Sequence, residues 1–243
     1  MNYKLFISKN PHDTAYEVAE LIAKEINLKA ENCNALNIAV SGGNTPKILF
    51  EILADEFGKE ISWKAVRFFW VDERCVEPSH SDSNFKMTHD ALLSKVEIPN
   101  VNIFRMKGEE NPEVEAKRYS RILSSELPSK NGFPVFDLVL LGIGDDGHTA
   151  SIFPNQFQLN NSVKSVDVAS HPVSGQKRIT LTGNTIRNAE KVIFLITGNN
   201  KADIISQIVE GKTEAEKYPA SYMGNKNGEA EIYLDEAAAA LLK

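Results

Sequence analysis

The feature of this sequence that most constrains its fold is the regular alternation of short apolar runs with longer amphipathic segments. Residues 36–40, 66–71 and 136–141 are almost continuously apolar, whereas residues 13–29 and 112–127 carry apolar side chains at helical spacing. Apolar runs separated by helical segments are typical of parallel strands that are covered on both faces. The sequence therefore predicts an α/β fold, with a mostly parallel sheet and helices on both of its faces.

The same patterns give approximate boundaries for each element. We predict strands at residues 3–7, 36–40, 66–71, 136–141, 178–181 and 192–196. We predict helices at residues 13–29, 46–57, 84–93, 112–127, 201–209 and 235–242. Asp13 or Thr14 is expected to cap the first helix, and Asn111 the helix that begins with Pro112. Residues 155–177 are polar without a clear period, so we expect a loop there and a single domain over residues 1–243.

Charge and cysteine content exclude several classes of function. The net charge of −6 argues against a nucleic-acid-binding surface, which needs a basic face. Cys33 and Cys75 form no CxxC pattern, so neither a disulfide framework nor a zinc cluster is expected. The N-terminal segment has no long apolar core, and no apolar stretch reaches the length of a membrane span. We expect a cytoplasmic protein without nucleic-acid or membrane partners.

In open α/β sheets, ligands bind beyond the carboxyl ends of the strands, so a functional motif should follow a strand directly. Residues 41–46, SGGNTP, follow the strand at 36–40. Gly42 and Gly43 permit a tight turn, and Asn44 or Thr45 can cap a helix whose first position suits the proline. Free N–H groups at this turn could hold a phosphate. A plain glycine turn with a capped helix is the alternative.

Two polar motifs belong to the next strand. Asp72, Glu73 and Arg74 come directly after the predicted strand at 66–71, and Asn84 lies downstream. Arg74 could hold a phosphate or a carboxylate through two parallel hydrogen bonds. Asn84 could bind a sugar hydroxyl or cap the following helix. Each motif could also be ordinary solvated charge or a helix cap.

The segment at residues 142–151, GIGDDGHTAS, is the most informative motif. Its glycines surround Asp146 and His148 directly after a predicted strand, and a histidine can act as base and acid near neutral pH. A glycine-rich turn with a solvated histidine is the alternative. Arg178 and Lys201 lie at other strand ends and could neutralise an anion. We expect the four remaining histidines to be surface residues, namely His12, His80, His89 and His171.

Taken together, the motifs resemble the 6-phosphogluconolactonase family over nearly the whole chain. The matching segments are SGGNTP at 41–46, DER at 72–74, SN at 83–84, GIGDDGHTASIFP at 142–154, RITLT at 178–182 and TGNNK at 197–201. The resemblance implies a Rossmann-like, nagB-like fold shared with glucosamine-6-phosphate deaminases. It also implies hydrolysis of 6-phosphogluconolactone in the pentose phosphate pathway, without a metal ion or a cofactor.

The resemblance also implies roles for individual residues. His148 would deprotonate the attacking water and later return the proton to the ring oxygen. The expected catalytic residues are His148, Asp146, Arg74 and Asp72. The expected substrate-binding residues are Gly42, Gly43, Asn44, Thr45, Glu73, Asn84, Gly144, Arg178 and Lys201. The partner implied is a small phosphorylated sugar lactone, and the protein is expected to be a monomer or a weak homodimer.

Two alternative functions remain open from the sequence. One is an aminosugar-phosphate deaminase or isomerase, and the other is a catalytically silent sugar-phosphate-binding protein. In the deaminases a glutamate usually follows the aspartate–glycine–histidine motif, whereas residues 149–154 here read TASIFP. The absence of this glutamate favours the lactonase.

Overall fold

The fold is built on twelve strands and six α-helices, and a computed structural model describes all of residues 1–243. The strands are β1 (Asn2–Ser8), β2 (Leu36–Val40), β3 (Val66–Trp70), β4 (Asp72–Arg74), β5 (Ile103–Phe104), β6 (Ser129–Lys130), β7 (Phe133–Pro134), β8 (Leu138–Leu141), β9 (Val166–Ser170), β10 (Lys177–Leu181), β11 (Lys191–Ile196) and β12 (Glu229–Asp235). The helices are α1 (Pro11–Glu31), α2 (Asn44–Asp55), α3 (Asn84–Thr88), α4 (Pro112–Glu126), α5 (Gly183–Arg187) and α6 (Ala202–Val209).

Seven parallel strands form the central sheet in the order β1-β12-β11-β8-β2-β3-β5. Alternate side chains of each central strand enter two separate hydrophobic clusters, one on each face. Ile38 and Leu140 pack with α1 and α2, while Ala39 and Val139 pack with α4 and α6. The predicted α/β class, with helices on both faces of a parallel sheet, is confirmed.

Helix starts follow capping chemistry, but not always at the expected residue. The predicted Asn111 cap is confirmed, because its side chain accepts a hydrogen bond from the Val114 N–H. The predicted Asp13 or Thr14 cap of α1 is wrong. Asn10 caps this helix instead, since it precedes a proline at the first helical position and accepts from the Asp13 N–H at 2.9 Å.

The region at residues 155–177 is not the loop that its polarity suggested. It contains a 3₁₀ segment, Pro154–Asn161, and then β9, which pairs with β10 in an antiparallel sheet of the order β4-β10-β9. β9 packs against α4, but three of its five side chains are only partly buried, so its sequence lacks the continuous apolar character of a central strand. This second sheet brings β10 beside β4.

The C-terminal helix predicted at residues 235–242 is also wrong. β12 runs through Asp235, and the alanine-rich residues after it form turns. The Asp235 carboxylate accepts hydrogen bonds from the N–H groups of Gly198 and Ala238, which holds the chain in a turn. These hydrogen bonds therefore outweigh the high helix propensity of the alanines. None of the helices combines the length and apolar character that a bilayer crossing requires.

Candidate active site

A polar cavity of about 440 Å³ lies at the carboxyl ends of the central strands β2, β3, β8 and β11. β2 pairs with β3 on one side and with β8 on the other. The connection after β2 runs toward β3, away from β8, so the loops after β2 and β8 diverge and leave a crevice between them. The predicted residues that line the cavity are Gly42, Gly43, Asn44, Thr45, Asp72, Arg74, Asn84, Gly144, His148, Arg178 and Lys201. Two predicted residues, Glu73 and Asp146, do not line it.

His148 and Asp146 form a directed pair at one wall of the cavity. The His148 Nδ1 lies 2.5 Å from the Asp146 Oδ1, and the same carboxylate oxygen accepts from the His148 backbone N–H. The ring Nε2 has no hydrogen-bond partner in the protein. Burial alone would raise the pKa of Asp146, but the hydrogen bond and charge of His148 outweigh it and lower this pKa to about 2. Asp146 therefore acts as an anionic support that orients the imidazole.

Glycine and an aromatic ring fix the position of the imidazole from its other sides. A Cβ atom at Gly144 would lie 2.1 Å from the His148 Cε1, so only glycine fits beneath the ring. The His148 ring packs against Phe153 with their centroids 4.7 Å apart. Phe153 also contacts His171, which is half-buried there instead of being the surface residue that we expected.

Arg74 and Arg178 bring two positive charges to the cavity, and the Arg178 guanidinium lies 5.8 Å from the centre of the same Phe153 ring. They are register partners in the antiparallel pair of β4 and β10, and each guanidinium has a buried Nε without a hydrogen-bond partner. Arg74 donates to the backbone oxygen of Asp82 at 2.6 Å. Burial lowers the pKa of Arg178, and the Asp72 carboxylate, which is 3.9 Å away, opposes this lowering. The arrangement is suited to an anion that bridges both arginines.

Asp72 is buried at the base of the cavity within a dense hydrogen-bond network. Its carboxylate accepts from the Ser151 hydroxyl at 2.5 Å and from the Asn84 side-chain amide at 3.2 Å. Ser151 is itself held by the Thr180 side chain, which accepts from its N–H. The network fixes Asp72 and Asn84, so both keep one orientation toward the cavity.

Glu73 was predicted to bind substrate, but the structure gives it an internal role. Its carboxylate accepts from the backbone N–H groups of Arg74, Asn84 and Phe85, and from the Ser83 hydroxyl. Burial raises the pKa of Glu73, and these four hydrogen bonds oppose that rise. Glu73 thus ties the end of β4 to the start of α3. The side chain points away because Asp72, Glu73 and Arg74 form a strand, in which neighbours alternate between faces.

The loop after β2 closes over the cavity as the sequence suggested, but with a different helix start. Gly43, at φ +115°, is the cap of α2, so the expected cap at Asn44 or Thr45 is wrong. The Thr45 hydroxyl instead lies 2.8 Å from the Thr197 hydroxyl, which joins this loop to the one after β11. No side chain caps the helix, which leaves its first N–H groups facing the cavity without a protein acceptor.

Gly42 and Lys201 complete this side of the site. A Cβ atom at Gly42 would lie 1.8 Å from the Asn84 Oδ1, so the glycine is needed for the close approach of the two loops. Lys201 pairs with Asp145 and its side chain is only 16% exposed. This contact lowers the pKa of Asp145 through its hydrogen bond with Lys201, even though burial opposes the change.

Most of the other cavity residues lie in motifs that the sequence singled out, but none of them was among the predicted site residues. These are Ser41, Pro46, Gly142, Ile143, Asp145, Thr149, Ala150, Leu195, Ile196, Thr197 and Asn200. Most of them follow β2, β8 or β11 directly, so the rule that ligands bind beyond the carboxyl ends of the strands could have identified them. Ser151, which supports Asp72, gave no signal of this kind, because its contact with Asp72 spans 79 residues of sequence.

Comparison with known proteins agrees with the motifs. Residues 9–232 match the family model described as glucosamine-6-phosphate isomerases/6-phosphogluconolactonase. A 6-phosphogluconolactonase from Haemophilus influenzae is 41% identical over 243 residues, which is 100% of each chain. One from Treponema pallidum is 41% identical over 202 residues, or 83% of this chain and 84% of the relative.

A solved structure extends the comparison to three dimensions. The 6-phosphogluconolactonase from Trypanosoma brucei superposes with a TM-score of 0.85 at 30% identity, covering 100% of this chain and 99% of that one. The family resemblance that the motifs indicated is confirmed. The chain belongs to the family of glucosamine-6-phosphate isomerases and 6-phosphogluconolactonases.

Proposed function

We propose that this protein hydrolyses 6-phosphoglucono-δ-lactone to 6-phosphogluconate, the reaction of the pentose phosphate pathway for which its relatives are named. The observation that carries the proposal is the cavity itself. It holds an imidazole with a free Nε2 together with two arginines whose Nε groups have no protein acceptor. A substrate with a reacting ester at one end and a dianionic phosphate at the other matches these two chemistries.

His148 is the general base in this proposal. Its Nε2 removes a proton from water as the water attacks the lactone carbonyl, and Asp146 stabilises the imidazolium that forms. The tetrahedral intermediate then collapses, its carbonyl is restored and the bond to the ring oxygen breaks. The imidazolium returns its proton to that oxygen, which becomes the hydroxyl of the product. One water is consumed and the enzyme is regenerated.

The positive groups of the cavity bind the phosphate. Arg74 is the strongest candidate, because its side chain has no carboxylate partner, whereas Lys201 is paired with Asp145 and Arg178 lies near Asp72. The uncapped N–H groups at the start of α2 add neutral donors for the same anion. Asn84 and Asp72, which are fixed at the base, are suited to sugar hydroxyls.

The decisive assay measures the opening of freshly generated lactone, coupled to 6-phosphogluconate dehydrogenase, above the spontaneous rate. The wild-type protein should accelerate the reaction, and His148→Ala should return it close to the blank. If the wild-type protein does not exceed the blank, the proposal is wrong. Release of ammonia from glucosamine-6-phosphate would then support the deaminase, and binding without turnover would support the silent binding protein.

Three further properties belong to the same proposal. Residues 1–243 act as one domain, and support comes from the central sheet, which draws its strands from residue 2 through residue 235. The protein works in the cytoplasm, where Cys33 and Cys75, both free thiols here, stay reduced. It is a monomer or a weak homodimer.

A further inference from the structure

The first strand of the sheet leaves a long edge without a partner. β1 pairs only with β12, over all seven of its residues, and its other side has no neighbour. The opposite edge of the sheet ends in β5, which has only two residues. A long unpaired edge can pair with another chain, and proteins usually shorten, charge or cover such edges.

The hydrogen-bonding groups on this edge can be assigned residue by residue. The Asn2 N–H donates to the Gly228 oxygen, and the Ser8 oxygen accepts from the Glu236 N–H. The even-numbered residues therefore bond to β12. Because the direction alternates along a strand, the N–H and C=O groups of Tyr3, Leu5 and Ile7 point outward.

Exposed apolar side chains accompany these free backbone groups. Leu5 is 37% exposed and Ile7 is 51% exposed on the face that Tyr3 shares. On the other face, Phe6 is 37% exposed and stacks on Tyr233 with the ring centroids 4.5 Å apart. The edge thus combines unpaired donors and acceptors with apolar surface on both faces.

We propose that β1 is a homodimerisation strand, which pairs in antiparallel fashion with β1 of a second copy about a twofold axis at Leu5. In this register Leu5 lies opposite Leu5 of the second copy, and Tyr3 lies opposite Ile7 of the second copy. Every outward N–H and C=O of the three odd residues then finds a partner. A shift by two residues in either direction would leave Tyr3 or Ile7 opposite the end of the strand.

The side chains and charges are complementary in the same register. Lys4 of the second copy lies opposite Phe6, on the side of the Phe6 ring that faces away from Tyr233. On its other side the Phe6 ring stacks on Tyr233, whose hydroxyl donates a hydrogen bond to the Glu231 carboxylate. The ammonium group of Lys4 therefore meets the Phe6 ring, whose stacking partner carries a carboxylate at its border, which is a favourable environment for a cation.

The helices also leave room for this pairing. Among the strands of the sheet, α1 packs mainly against β12, which lies one strand in from the edge. In the dimer, the two β12 strands would be three strand spacings apart, roughly 14 Å. Packed helices need about 10 Å between their axes, so the two α1 helices fit side by side on one face of a continuous sheet.

The test is a symmetric disulfide across the axis. In a background with Cys33→Ser and Cys75→Ser, Leu5→Cys should form a covalent dimer on mild oxidation. Two residues that exchange backbone hydrogen bonds in an antiparallel pair, as Leu5 does with its copy, have their Cα atoms about 5.5 Å apart. This distance is within the range that a disulfide needs. Lys4→Cys is the matched control. It should not cross-link, since Lys4 lies diagonal to its own copy with the Cβ atoms about 7 Å apart.

Sedimentation of the unmodified protein gives a second, independent test. The average mass should rise from 27.0 kDa toward twice that value with concentration. Leu5→Pro should abolish the rise, because its outward N–H takes no part in the β12 ladder. Its lactone hydrolysis per chain should stay at the wild-type level, since β1 does not line the cavity. Failure of Leu5→Cys to cross-link, or equal cross-linking of Lys4→Cys, would overturn the proposal.

Discussion

Arg74 and Arg178 lie directly opposite each other in the antiparallel pair of β4 and β10, and both line the same cavity. Two like charges in this position repel each other and cost roughly 0.2–1 kcal/mol. The protein keeps these two cations together although its net charge is −6, so acidic residues are in excess elsewhere in the chain. We propose that this pairing serves to bind an anion, at a cost in stability.

For the arginine pair we predict that one substitution weakens substrate binding but does not destabilise the fold. Arg74→Gln should raise the KM for the lactone about 10- to 100-fold, because a charge-assisted hydrogen bond contributes roughly 1.5–3 kcal/mol. The free energy of unfolding should not fall and should rise by up to about 1 kcal/mol, since the repulsion is relieved. Steady-state kinetics and urea unfolding measure the two effects. Arg121→Gln, at an exposed position outside the cavity, should change neither.

The His148–Asp146 pair predicts a particular pH dependence. The pKa of Asp146 is lowered to about 2, so its carboxylate stays charged throughout the working range. The stability that this charge contributes is complete above the ordinary pKa of about 3.9 and is lost only as the pH falls through about 2. Urea unfolding of the wild-type protein and of Asp146→Asn between about pH 2 and 7 measures this contribution. Asp146→Asn should also lower kcat at least about tenfold, because the imidazolium loses the anion that stabilises it.

Replacement of the base itself should separate chemistry from binding. His148→Asn should lower kcat about 100- to 10,000-fold while KM changes little. His89→Asn, at an exposed position, is the control and should behave like the wild-type protein. A wild-type kcat in His148→Asn would remove this residue as the base.

Gly144 predicts a steric effect on the same ring. Gly144→Ala places a methyl group 2.1 Å from the His148 ring, which must move away from its position between Asp146 and Phe153. We expect a loss of kcat of at least about tenfold, because a catalytic group displaced by about 1 Å loses much of its effect. Gly142→Ala is the matched control on the same loop, since its methyl group would have no protein atom within 4 Å. Equal losses in both variants would contradict the steric account.

The two thiols should differ in reactivity. Burial, with the charges of Glu73 and Glu113, raises the pKa of Cys75 to about 11. The reactive thiolate is therefore scarce at pH 8 and becomes abundant only as the pH rises through about 11. Iodoacetamide should label Cys33, which is exposed, much faster than Cys75. Mass spectrometry of Cys33→Ser and Cys75→Ser proteins measures each rate, and the two rates should converge after unfolding in guanidinium chloride.

Tyr119 connects α4 to the strand that leads into the site. Its fully buried hydroxyl accepts from the Trp70 N–H at 3.0 Å and donates to the Phe104 oxygen at 3.1 Å. Tyr119→Phe leaves both groups unpaired and should lower the free energy of unfolding by about 1–3 kcal/mol. Tyr222→Phe, whose hydroxyl is exposed, should stay within about 0.5 kcal/mol of the wild-type value. Urea unfolding of both variants checks the difference.

Much of the architecture could be read from the chain because the relevant signals are local. Strands that are buried on both faces, such as β3 and β8, must be apolar throughout, so their positions were visible in the pattern. The strand-end rule then placed residues 41–46 and 142–151 at one edge of the sheet. The elements that were wrong depend on distant partners. β9 exists because β10 and α4 cover it, and the C-terminal helix is absent because Asp235 holds Gly198 and Ala238.

The sequence by itself determined the α/β class, the glycine-rich loops and the identity of the central histidine, because apolar periodicity and glycine placement act within a few residues. Tertiary structure alone decided which of the charged residues face the cavity. Glu73 and Arg74 are adjacent in sequence, yet one is buried beneath α3 and the other lines the site. The pairing of Arg74 with Arg178 joins residues that are far apart in the chain. Such side-chain direction is set by strand pairing and packing, and neither is encoded in a local pattern.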